Sequence, residues 1–182
     1  MSKMTTDTAP VRIVAYDPTW PDLFEQERIQ LASLLAPWLV GPIEHVGSTA
    51  VPGLAAKPVI DIMAAVQDLE VSRSAIAKLS QLSYCYFPYR ADVMHWFCKP
   101  SDAVRTHHLH LVPFSSKLWT DRLGFRDYLR AHPNLAAEYA QLKYDLARLY
   151  EFDREAYTEA KLPFVERVLR LIHEDTQNSA RR

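Results

Sequence analysis

A chain of 182 residues, 48% of them hydrophobic, is long enough to bury one sizeable core with a helical appendage. Its formal net charge of −1 excludes the clustered basic excess of a general nucleic-acid binder, and leaves small anionic ligands open. Cys85 and Cys98 lack CxxC spacing and sit among apolar or aromatic neighbours, which predicts free thiols rather than a disulfide or a zinc site. No charged start precedes a long apolar run, so neither a signal peptide nor a membrane span is expected, and the chain reads as cytoplasmic.

In chain order, the polar residues 1–10 read as a loose lead-in, and Val11 to Tyr16 as a short strand or extended arm. Asp17-Pro18-Thr19-Trp20-Pro21 is a turn whose proline can open a helix. Phe24, Leu31, Leu34, Leu35 and Trp38 then recur near helical spacing, and Pro37 with Gly41-Pro42 closes that helix. Ile43 to Val46 and Val59 to Val66 are the first two core strands. Asp68 caps a helix through about Leu82. Tyr84 to Pro88, Val93 to Lys99 and Thr106 to Pro113 read as strands, the last two forming a hairpin across Pro100-Ser101-Asp102-Ala103. After Ser115 the pattern turns helical over Lys117 to Ala131, Leu135 to Glu151 and Arg154 to about His173, broken at Pro133-Asn134. The tail after Asp175 is polar and reads as frayed. These elements predict an α+β chain: a mixed sheet over 11–115 with helices on one side, and a helical subdomain over 116–175 packed on it as a single globular unit.

The stretch from His45 to Met63 carries the most chemistry. A short apolar run ends in Gly47-Ser48, a small-residue turn follows with Lys57 in it, and an aliphatic strand then holds a lone Asp61. Backbone groups and hydroxyls of Gly47, Ser48 and Thr49, with Lys57 close by, suit a phosphate, although Ser48 or Thr49 can equally cap a helix. Lys57 is followed by Pro58, so the loop is not a Walker A sequence. A carboxylate in an aliphatic strand is costly to bury alone, which marks Asp61 as a candidate catalytic or metal-holding group. Strand alternation sets Asp61 and Met63 opposite Ile60 and Ile62, and His108 and His110 opposite Leu109 and Leu111. If the aliphatic faces meet the helices, Asp61, His108 and His110 share the open face and can hold a divalent metal, with His45 as a further ligand. The i,i+4 series Arg122, Arg126 and Arg130 reads as exposed charge, and Trp96 and Phe97 as candidates for stacking on a nucleobase.

The segment His45 to Met63, together with Val14-Ala15-Tyr16-Asp17-Pro18-Thr19-Trp20-Pro21, His108-Leu109-His110 and Tyr157-Thr158-Glu159-Ala160-Lys161, resembles the GrpB-like proteins of the nucleotidyltransferase superfamily. That resemblance implies a nucleotidyltransferase-like fold and its strand order. It also points to Lys143 and Lys161, which match the family's Tyr139-x-x-x-Lys143 and Tyr157-x-x-x-Lys161 helix motifs, as further phosphate-binding candidates. Members of the superfamily hold divalent metal on the open sheet face with carboxylates two residues apart, but here the partner of Asp61 is Met63. The expected function is binding of a nucleotide or other phosphorylated small molecule, with nucleotidyl transfer to a small acceptor using Mg²⁺, Zn²⁺ or Mn²⁺. The competing readings are a non-catalytic ligand-binding or chaperone-like module, and a metal-dependent enzyme built on the Asp/His/His face.

Overall fold

The computed structural model describes residues 9–180, so most of the polar lead-in lies outside the described residues. Helix α1 (Trp20–Leu35) starts after a turn in which Asp17 accepts a hydrogen bond from the Thr19 backbone N–H at 2.8 Å, with Pro21 in its first turn. Strand β1 (Leu39–Val46) follows and turns back into β2 (Ile60–Val66). A broken helical segment comes next, its only α-helical part being α2 (Ala75–Leu79). Strands β3 (Cys85–Phe87), β4 (His95–Pro100) and β5 (Arg105–Pro113) complete the sheet. The chain ends in α3 (Lys117–Ala131), α4 (Pro133–Leu149), α5 (Arg154–Ala160) and α6 (Leu162–Ala180).

The five strands lie in the order β1-β2-β5-β4-β3. Only the central pair β2/β5 is parallel; its neighbours run antiparallel, so the sheet is mixed. Ile60, Ile62, Ala64, Phe97, Leu109 and Leu111 face Leu31 and Leu35 of α1 and Ala75 and Leu79 of α2, forming the larger apolar core. The opposite face carries Val46, Met63, Ala65, Trp96 and Cys98, and is partly covered by Trp119 of α3. A third core, of Val51, Leu54, Leu129, Tyr139, Phe164 and Val168, ties the helices to the turn after β1. Burial of such side chains contributes about 1.5–3 kcal/mol each, so these cores hold the layers together.

Several boundaries differ from the sequence reading. Gly41-Pro42 does not end an element but lies inside β1, at a register shift between Leu39 and Ile43. That strand is at the sheet edge, where a missing proline N–H removes no ladder bond. The helix expected from Leu135 starts earlier, at Pro133, since the first helical N–H is unpaired in any helix and proline lacks only that group. The last predicted helix is two, α5 and α6, separated at Lys161 just before Pro163, whose ring and missing N–H prevent a continuous ladder. Helix α6 extends through the tail expected to fray. Of the two readings of Val11 to Tyr16, the extended arm is the one found: it is held by the bridge from Val14 to Ala56 and by the Val11 N–H, which donates to the Glu151 carbonyl at 2.7 Å.

Candidate functional site

Strand register builds one wall of the site. Asp61 of β2 lies opposite His108 of β5, and Met63 opposite His110, so all four side chains point to the face away from α1. His108 Nδ1 lies 3.0 Å from Asp61 Oδ1, and His110 Nε2 lies 3.8 Å from the same oxygen. Burial raises the Asp61 carboxyl, but the hydrogen bond from His108 carries it well below the ordinary carboxylate range. Asp61 is therefore ionised at neutral pH.

The turn after β1 is pressed against that carboxylate. Gly47 has φ +72° and ψ −170°, a region essentially reserved for glycine. A Cβ on Gly47 would stand 2.5 Å from Asp61 Oδ2, so glycine is needed both for backbone conformation and for close approach. Ser48 to Ala50 then makes a single 3-10 turn.

Lysines from three segments close the other side. A cavity of about 60 Å³ is lined by Ser48, Thr49, Lys57, Asp61, His108, Lys143, Tyr157 and Lys161, together with Ala56 and Val59. Lys143 of α4 is buried, donates to the Ala55 carbonyl and lies over the Tyr139 ring, 4.7 Å from its centroid. Lys57 and Lys161 both lie over the Tyr157 ring, at 5.3 Å and 4.4 Å. Ring faces offer these cations partial compensation. Burial and the charge of Lys161 lower Lys143 to about 7, while burial and Lys57 lower Lys161 to about 8. Lys57 is lowered as well, chiefly by burial. Among the described residues none of the three forms an ion pair, and Asp61 is the one acidic group lining the cavity.

A family model described as GrpB protein matches residues 10–171. The chain belongs to the GrpB family. It is 40% identical over 168 residues to a UPF0157 protein of Pseudomonas aeruginosa, covering 90% of this chain and 68% of that one. The crystal structure of conserved protein GrpB from Enterococcus faecalis superposes with a TM-score of 0.82 at 29% identity, covering 91% of this chain and 99% of that one. A protein of Mycolicibacterium paratuberculosis named dephospho-CoA kinase is 30% identical over 188 residues, covering 86% of this chain and 44% of that longer protein. The fold is thus the nucleotidyltransferase-like one of the GrpB family.

Within that GrpB fold, the structure brings together Gly47, Ser48, Lys57, Asp61, His108, Lys143 and Lys161, with His110 just behind Asp61. His45 is not among them. It pairs in register with Ile62 and so faces α1, where its ring stacks on Phe24 at 4.8 Å and its Nε2 is 2.9 Å from the Thr49 hydroxyl. Burial lowers it to about 4, so the ring is neutral, and it packs on the side of the sheet opposite Asp61. Thr49 lines the cavity, but its hydroxyl is turned to His45 and the Val59 carbonyl. Trp96 and Phe97 are 7% and 0% exposed, which removes both as stacking platforms for a ligand.

The fit to a divalent metal is poor. Among the described residues no three His, Cys, Asp or Glu side chains are placed to hold one ion. Glu44 is a second carboxylate on the Asp61 face, and Arg126 pairs with it at 2.7 Å. The arginine series of α3, expected to be exposed charge, is a docking ladder, in which Arg122 and Arg126 are half-buried and Arg130 alone of the three is exposed. Arg122 donates to His110 Nε2 at 3.2 Å, and Arg126 to the His45 carbonyl at 2.9 Å. Arg130 donates to the Ala50 carbonyl at 2.9 and 2.7 Å. The i,i+4 repeat puts three guanidinium groups on one face of one helix, but does not say whether that face meets water or protein.

Proposed function

We propose that this GrpB-family protein binds a phosphorylated small molecule of the nucleotide class between the Gly47-Ser48 turn and Lys57, Lys143 and Lys161. One observation carries the reading: three ammonium groups, none of them in an ion pair among the described residues, converge on a small cavity whose one acid is Asp61. Burying cations together is unfavourable unless an anion joins them, and a phosphate accepts several charge-assisted hydrogen bonds at once. The cavity has room for a phosphate group, with the rest of the ligand outside. The nucleotide class is favoured by the nucleotidyltransferase-like fold and by the relative named dephospho-CoA kinase. Recognition, rather than metal-dependent nucleotidyl transfer, is the function these residues support, because Asp61 lacks a second free carboxylate beside it.

Calorimetric titration of the full chain with ATP, ADP, AMP and inorganic tripolyphosphate tests this. Lys57→Ala is expected to weaken binding by about 1.5–3 kcal/mol, roughly ten- to a hundredfold, while leaving the melting temperature close to that of the parent. Equal affinities in parent and variant would remove Lys57 from the site.

A further inference from the structure

We propose that the cavity takes its phosphorylated ligand without a divalent cation, and that Arg122 is the fixed cation that balances Asp61. The inference rests on the phosphate reading above, and follows from the lone pairs around Asp61 taken one at a time.

An ionised carboxylate can only accept a hydrogen bond, so His108 carries its proton on Nδ1 and spends it on Asp61 Oδ1 at 3.0 Å. The other ring nitrogen of His108, Nε2, is buried and has no hydrogen-bond partner among the described residues. A guanidinium can only donate, so Arg122 fixes the lone pair of His110 on Nε2 and consumes it at 3.2 Å. The His110 proton is consequently on Nδ1, which faces the Met94 sulfur at 3.4 Å. This tautomer has no proton to offer Asp61, and the 3.8 Å separation agrees. Asp61 Oδ2 is backed by the Gly47 main chain.

No other donor makes up the deficit. Met63, two residues along β2, is fully buried and supplies only a soft thioether. Glu44 is paired with Arg126, and His45 belongs to the opposite face. Mg²⁺ demands near-octahedral oxygen ligation, and a transition metal needs imidazole lone pairs turned toward one point. Neither arrangement exists around Asp61. What exists is Arg122, permanently charged and held behind His110 at the place where charge compensation is required.

The test uses the full chain freed of metal with a chelator, with inorganic tripolyphosphate as probe. Calorimetric affinity in EDTA is expected to equal or exceed that in millimolar Mg²⁺, and the electron paramagnetic resonance signal of free Mn²⁺ should be unchanged when the protein is added. Arg122→Met frees the His110 lone pair and leaves Asp61 unbalanced, so it should acquire measurable Mn²⁺ binding. Arg122→Lys restores a cation and should not. Probe binding that needs Mg²⁺, or Mn²⁺ uptake by the unmodified chain, overturns the inference while sparing the phosphate site. Failure of Arg122→Met to gain Mn²⁺ affinity, in a variant that melts cooperatively, removes Arg122 from its assigned role. If Arg122→Met does not fold, the metal titrations of the parent chain and of Arg122→Lys decide alone. Absence of probe binding under every condition ends the phosphate reading, and this inference with it.

Discussion

Three lysines sharing two tyrosine rings make the site a store of unfavourable charge. Lys143 and Lys161 are lowered from 10.5 to about 7 and about 8, mainly by burial and then by neighbouring lysines. In the unfolded chain both return to ordinary values. Between about pH 7 and the ordinary lysine range, the unfolded state therefore binds more protons than the native state, and the stability of the ligand-free protein rises with pH across that window. Anion binding runs in the opposite sense. A phosphate beside these amines favours their charged forms, so binding takes up protons, and affinity should fall several-fold between about pH 7 and about pH 9. Calorimetry in buffers of different ionisation enthalpy measures the protons taken up. A pH-independent affinity with no proton uptake would mean that the amines do not meet the ligand.

At the level of elements, the site depends on α3 as much as on the strands that carry Asp61 and His108. The helix begins with Ser116 capping the Trp119 N–H at 3.3 Å, and its arginine ladder reaches β5, the end of β1 and the 3-10 turn in succession. Each rung answers a specific polar group, which fixes the height and rotation of α3 on the sheet. Arg130 makes a simple case, because two of its bonds go to one carbonyl, that of Ala50, and close the turn from outside, while a third, longer bond goes to Asp127 of its own helix. Arg130→Ala should destabilise the protein by about 1–3 kcal/mol, since hydrogen bonds to charged groups are worth about that much and the carbonyl loses its partner. Urea unfolding at neutral pH measures the change. A difference below about 0.5 kcal/mol, the usual range for a bystander surface residue, would show the ladder to be incidental.

Taken as a whole, the molecule was legible in the sequence where periodicity was strong and local. The alternation Asp61/Met63 against Ile60/Ile62, and His108/His110 against Leu109/Leu111, placed the right side chains on one face, because a strand has only two faces and the aliphatic one must meet α1 and α2. His45 was misplaced for the same reason in reverse: the registers of β1 and β2 decide its face, and its own neighbours do not reveal them. The arginine ladder was unreadable because a charged helix face looks the same whether it meets water or backbone carbonyls 80 residues away. The lysine cluster joins Lys57 from a loop to Lys143 and Lys161 from two helices, a closeness that only the tertiary fold creates. This dependence makes a prediction about the two predicted regions, 11–115 and 116–175. Trp119, Leu129, Tyr139, Phe164 and Val168 cover the Asp61 side of the sheet and the turn after β1. A fragment ending at residue 115 would leave those surfaces bare and lack two of the three lysines. Such a fragment should lack a cooperative thermal transition, bind a hydrophobic dye and show no affinity for tripolyphosphate, whereas the full chain should melt in one step. A fragment that melts cooperatively would make the sheet region an independent domain, and would leave the helices the task of completing the site rather than the fold.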